Sequence, residues 1–235
     1  DLLAVQSIRY ESEKYGPSNY SIYMNKDYGN VKGYTFSLTK RYDPVSRTSA
    51  FVDYTYQVTE GNSVTSGSFY YNALSGEQEE KRIVPLAWDQ RHILNTNVSV
   101  GDPRNWNLGI ISKLSSGWPY TPNIPDANYV PQPNSGRKPW QWRVDMRLHK
   151  NFKIGKLNYL VFMKVYNLLD RRNERYVFND TGRAGYTYVF QSTQETQGFK
   201  SHYGEPGVHE WSEYQVRPHY YTAPRSVNVG FSVDF

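Results

Sequence analysis

Two carboxylate pairs, Asp89 with Asp126 and Glu205 with Glu210, are of the type that serves as acid and base in glycoside hydrolysis. That chemistry needs carboxyl groups held about 5–5.5 Å or about 6.5–9.5 Å apart, and nothing in the spacing of these residues fixes a separation. His202, His209 and His219 share one stretch with Glu205, Glu210 and Glu213, side chains that bind divalent metals. Their spacing matches none of the tight ligand patterns of metal sites. No nucleophile elbow or phosphate loop occurs, and a chain with no cysteine has no thiolate ligand, thiol nucleophile or disulfide. The expectation is therefore a protein that is not an enzyme and carries no cofactor or metal site. Trp118, Tyr120 and Trp211 fall in polar stretches, where their rings are candidate stacking surfaces for a ligand. Arg143, Asp145 and Arg147 alternate with apolar residues and so line one face of a strand.

The element that holds that last trio is Trp140 to Phe152, in which Trp142, Val144, Met146, Leu148 and Phe152 share one face and Arg143, Asp145, Arg147, His149 and Asn151 the other. The same two-residue period recurs along the chain. Strands are expected at 30–41, with Tyr34, Phe36 and Leu38 on one face, and at 49–58, whose partner is expected to lie far off in sequence. Further strands are expected at 88–100, 106–114, 157–167 and 226–235, with a strand and its return in the first 28 residues. In 157–167 the alternation is blurred, because Leu160 and Phe162 fall on the polar side beside Lys164. The last ten residues run Val227, Val229, Phe231, Val233 and Phe235 against Ser226, Asn228, Gly230, Ser232 and Asp234.

About eight strands result, and their connections alternate in length. Tight turns at 42–48, 101–105 and 153–156 alternate with long connections at 59–87, 117–139 and 168–223, the first of which has room for a short hairpin at 68–71. An up-and-down antiparallel sheet then carries all long loops at one end and all tight turns at the other, which a Greek-key sandwich has no reason to do. No run of eighteen apolar residues exists, so a transmembrane helix is excluded while membrane strands of about ten residues are not. The mean hydropathy of −0.75 is polar, yet 16% of the residues are aromatic, 22 of them Tyr. That combination suits aromatic belts with long wet loops. The formal charge of +5 is scattered, which argues against a nucleic-acid partner.

Several short blocks resemble the C-terminal part of the barrel of TonB-dependent outer-membrane receptors, in that family's order. They are Asp27 to Gly33 leading into a strand that ends Lys40-Arg41, then Pro85 to His92, Ser116 to Pro122, Val165 to Asp170, Asn179 to Gly182, Pro224-Arg225 and the terminal Phe235. The spacing of Asn228, Gly230, Val233 and Phe235 is similar to the insertion signal that the barrel assembly machinery reads. The resemblance implies an all-β fold: a transmembrane antiparallel up-and-down β-barrel, with residues 1–235 supplying about eight C-terminal strands of a 22-stranded barrel. Long loops would then be external and short turns periplasmic. It also implies a plug domain and a TonB-binding segment, neither of which is among these residues, so that a fragment of a receptor is expected.

The function expected from the resemblance is binding of an external nutrient, such as a metal chelate, glycan or peptide, and its uptake into the periplasm. The implied location is the outer membrane of a Gram-negative-type bacterium. Implied partners are the lipid bilayer and lipopolysaccharide, the rest of the barrel and its plug, TonB, the barrel assembly machinery and a surface lipoprotein. Trp88, Trp106, Trp140 and Trp142 would sit at the two membrane interfaces, and Arg143, Asp145 and Arg147 would face the lumen. Two other readings stay open: a soluble carbohydrate-binding or hydrolytic β-domain, and a complete small eight-stranded outer-membrane barrel.

Overall fold

A computed structural model describes residues 2–12, 16–62, 82–123, 131–188 and 217–234, with side chains from residue 28 onward. Twelve strands follow one another among these residues: β1 (Leu2–Ser12), β2 (Gly16–Asp27), β3 (Gly29–Asp43), β4 (Thr48–Gly61), β5 (Val84–Pro85), β6 (His92–Asp102), β7 (Trp106–Ser115), β8 (Pro119–Tyr120), β9 (Gly136–Arg137), β10 (Gln141–Ile154), β11 (Leu157–Tyr166) and β12 (Ser226–Asp234). The one helical turn among the described residues is Pro218–Tyr220. The protein is all-β.

Seven long strands form an antiparallel meander in the order β12-β11-β10-β7-β6-β4-β3, with β5 added beside the end of β4. Each neighbour in this sheet is the next long strand in sequence, so the chain runs up and down without a crossover. The short connections are 44–47, 103–105 and 155–156 and the long ones 62–91, 116–140 and 167–225, which reproduces the sorted lengths expected from the sequence. Aspartates start two of the tight turns by accepting backbone N–H groups: Asp43 from Val45 and Ser46, and Asp102 from Arg104.

Three details depart from expectation. The partner of β4 is close in sequence: β4 folds back directly on β3, from Asp43↔Thr48 to Gly29↔Gly61. The strand expected from Trp88 begins only at His92, because Leu86–Asp89 closes a tight turn with the Asp89 N–H donating to the Leu86 carbonyl at 2.8 Å. Finally, β1 and β2 pair with each other as a separate two-stranded ribbon, so the meander holds seven long strands instead of eight.

The registers gather most apolar positions of the long strands on one face. Lys40, Ala50, Val98, Ile110, Met146, Val165 and Val227 form one row across the seven strands, and Thr48, Val100, Leu108, Leu148, Met163 and Val229 form the next. The reverse face holds Ser49, Ser99, Gly109, Arg147, Lys164 and Asn228 in a corresponding row. Among the described residues no second sheet or helix covers the apolar face: Phe36 is 63% exposed, Val229 71% and Phe231 77%. Four of the six buried apolar residues among those described, Val84, Leu86, Val177 and Ala184, lie outside the seven long strands. The long strands thus make a single layer, and the densest packing is at the end where the long connections meet.

Candidate functional site

Two regions could act on another molecule: the cap formed by the long connections, and the polar face of the sheet below it. The cap is organised around Asp89, whose side chain is fully buried. Its carboxylate accepts the Thr59 N–H at 2.8 Å and is paired with the Arg137 guanidinium, which also donates to the Asp89 carbonyl. Burial of a charge is tolerated only when it is paired and hydrogen-bonded, and Asp89 meets both conditions by tying β4 to β9. Nearby, Asn134 donates to the Pro85 carbonyl at 2.7 Å. Asp89 is therefore a bracket of the cap.

Tyr120 sits between two loops. A Cβ at Gly136 would come within 2.5 Å of its ring, and one at Gly182 would meet its hydroxyl. Gly182 also has φ +68°, where a side chain is disfavoured, so this position needs glycine twice over. Burial raises the Tyr120 phenol above its ordinary value, and the charge of Asp180 adds to the shift. Trp118 is 38% exposed. Lys138, whose pKa is lowered by burial, donates to the Arg175 carbonyl at 3.2 Å and lies over the Tyr176 ring. The Arg183 guanidinium is raised by its hydrogen bonds to Glu174, 2.7 Å away, and Glu174 also accepts the Ala184 N–H at 2.6 Å.

A second bracket joins the two ends of the longest connection. Asn167, buried and left-handed at φ 54°, donates to the Ala223 and Arg171 carbonyls, while its own N–H donates to Asp145 at 2.8 Å. Asp170 accepts the Arg225 N–H at 2.8 Å. Asn173 is bound to both Trp142 and Thr222. In the sequence Asn167 and Asp170 stand out only as members of the block Val165 to Asp170, and Asn173 not at all; the usable signal for the first two is Asn or Asp just past a strand end, where left-handed backbone is tolerated.

On the polar face, Arg143, Asp145 and Arg147 lie together on β10 as expected from their spacing. Arg143 and Asp145 form an ion pair at 2.9 Å. Leu160 and Phe162 share this face, and the reason is local: Phe162 lies opposite Gly230 and its ring covers it, a Cβ at Gly230 coming within 2.5 Å of that ring. The Lys164 ammonium lies over the Phe162 ring, 5.1 Å from its centroid. Asn228 shares the polar face, opposite Lys164, and Val233 lies on the apolar face opposite Tyr159.

Aromatic rings collect at both ends of the apolar face. At the long-connection end Tyr34, Tyr56, His92 and Trp140 follow one another at centroid distances of 5.5, 5.1 and 5.6 Å, and Trp142 donates to Ser112 at 2.9 Å. At the turn end Phe152 stacks on Tyr159 at 5.4 Å, and Trp106 starts β7 opposite Asp102 and Lys150. Trp88, half exposed, sits in the Leu86–Asp89 turn. Asp126, His202, Glu205, His209, Glu210, Trp211, Glu213 and Phe235, and the hairpin expected at 68–71, lie outside the described residues. Among the described residues no three His, Cys, Asp or Glu side chains come together as a metal site. The chain matches no protein-family model, and no curated protein or solved structure matches it.

Proposed function

We propose that the sheet is an arc of an outer-membrane β-barrel, and that the chain is the C-terminal barrel portion of a TonB-dependent receptor that takes up an external nutrient. The observation that carries this reading is the uncovered apolar face, which runs in register across seven strands. A contiguous apolar face with Phe36, Val229 and Phe231 open to solvent is not what a water-soluble monomer ordinarily presents. Lipid is the solvent that suits it.

Three further observations support the reading. From Trp142 to Phe152 the apolar stretch of β10 spans ten residue steps, about 33 Å at a strand rise of about 3.3 Å. At a tilt of about 40° that is about 25 Å, the height of the apolar band of outer-membrane barrels. The ring clusters at its two ends have the spacing of interfacial aromatic belts, which fits Trp106, Trp140 and Trp142. The sorted connections fit external loops above and periplasmic turns below. A wet lumen explains the polar face.

Among the described residues the outer edges of β3 and β12 are unpaired, which favours an arc of a wider barrel over a closed narrow one, since neither edge pairs with the other and an open edge cannot persist in lipid. Blocks that carry the family resemblance meet in the cap: Tyr120 on Gly182, Asp170 on Arg225. On this reading the remaining barrel and plug complete the molecule, TonB supplies the energy, and the loops meet lipopolysaccharide and a surface lipoprotein. No reaction is assigned. The test is membrane extraction with alkaline carbonate followed by gel mobility with and without boiling. Retention in the membrane with heat-modifiable mobility is expected; release as a soluble monomer would overturn the proposal in favour of a soluble β-domain.

A further inference from the structure

The polar face is electrically unbalanced where β7, β10 and β11 adjoin. Register sets Arg143 directly opposite Lys113, and one row of charge nearer the turns it sets Arg147 directly opposite Lys164. Like charges facing each other across neighbouring strands are destabilising, and here the arrangement occurs twice in succession. The single carboxylate on this part of the face, Asp145, is engaged by Arg143 and by the Asn167 N–H. Among the described residues no carboxylate lies within ion-pair distance of Lys113, Arg147 or Lys164. Further along β10 the same face continues through His149 to Lys153 at the short turns.

Beside the Arg147–Lys164 pair the face is hollowed. A depression of about 420 Å³ is bordered by those two cations, by Asn97, Ser99, Asn107 and Tyr166, by the apolar Ile111 and by Asp145, the carboxylate already engaged by Arg143 and the Asn167 N–H. That volume falls in the range of small-molecule sites. Its rim combines positive charge with amide and hydroxyl donors, the chemistry that takes oxyanions. Asn107 donates to Ser99 at 2.7 Å, which orients this side of the rim.

Resting on the reading of this face as a barrel lumen, we infer that the β10 column is an oxyanion track: solutes bearing carboxylate or phosphate groups bind at the Arg147–Lys164 hollow after entering past Arg143 and Lys113. The substrate class of the receptor is then anionic. The solute's charge satisfies the cations that the sheet sets against one another, and a second cation pair about 13 Å further up the strand, at about 3.3 Å per residue, gives it a stepping point.

The full-length protein in detergent is titrated calorimetrically at low salt with inorganic pyrophosphate and, separately, with citrate. Saturable binding of at least one is expected, and the responding probe tells phosphate from carboxylate preference. Arg147→Gln and Lys164→Gln should each weaken it about tenfold, the worth of one charge-assisted contact, with heat-modifiable mobility unchanged. Equal affinity in parent and variants would overturn the track. So would silence of both probes in the parent, and silence combined with a lower melting temperature in the variants would mark an acidic protein segment as the occupant. A parent that keeps its heat-modifiable mobility but binds neither probe removes the anion site alone, whereas loss of that mobility removes the barrel reading beneath it.

Discussion

Asp89 is the residue on which the cap depends most. Its side chain is fully buried and has three partners: the Thr59 N–H, Arg137, and Arg91 at 3.4 Å. Replacing it with alanine leaves the Thr59 N–H, itself on a buried residue, without its acceptor and Arg137 without its counter-charge. Breaking one side of a buried pair costs about 3 kcal/mol or more. Asp89→Ala should therefore raise the open population of the cap by about a hundredfold, and tryptic cleavage after Arg137 should accelerate to match, since cleavage tracks that population. Asp89→Asn keeps an oxygen for the Thr59 N–H and should accelerate cleavage much less. Equal cleavage of Asp89→Ala and the parent would show that the bracket does not hold the cap shut. By contrast, Arg143–Asp145 is more exposed, and a pair of that kind contributes little.

At the level of the strand, a side chain's face decides what it tolerates. Ile110 and Ile111 are neighbours on β7, yet Ile110 stands in the apolar row with Val98 and Met146 while Ile111 stands on the polar face beside Asn97 and Asp145. An arginine on the lipid side near mid-height costs about 2–4 kcal/mol, and one in the lumen little. Ile110→Arg should reduce the heat-modifiable species at the outer membrane sharply, and Ile111→Arg should leave it near the parent level; equal losses would contradict the assignment of faces. The alternation that makes this test possible was readable in the sequence, because a strand's period of two survives any tertiary context. What blurred it in β11 was Phe162, whose position on the polar face makes sense only once Gly230 is known to lie opposite. The cap was not readable for a different reason. Its contacts join residues far apart, as Asp89 and Arg137 do across 48 positions, and no local pattern encodes such a pairing. The alternation that marks β6 in the sequence runs from Leu94 to Val100 and does not fix where it starts, whereas the buried Asp89 needs a turn at 86–89 to reach Thr59.

For the molecule as a whole, the question is what lies against the edges of β3 and β12. A single-layer sheet with two free edges exposes two rows of backbone donors and acceptors, and in a bilayer each must find a partner. If the strands closed on themselves, β3 would pair with β12 and the barrel would be narrow. If they form an arc, each edge pairs with a strand from elsewhere in the barrel. The chain has no native cysteine, so introduced pairs report on proximity without competition. Thr35→Cys with Thr55→Cys serves as the positive control, the two hydroxyls being 3.0 Å apart on β3 and β4. Lys164→Cys with Asn228→Cys does the same for β11 and β12. Disulfides require Cα atoms within about 7 Å, so both controls should cross-link in oxidised outer membranes. Thr35→Cys with Asn228→Cys, one residue on each free edge, should stay reduced in the arc, as should the same pair with the β12 cysteine moved to Ser226 or Ser232 to allow for barrel stagger. A cross-link in any register of that edge pair would close the sheet on itself, and the lumen would then be too narrow for the solute path along β10 to pass beside a plug.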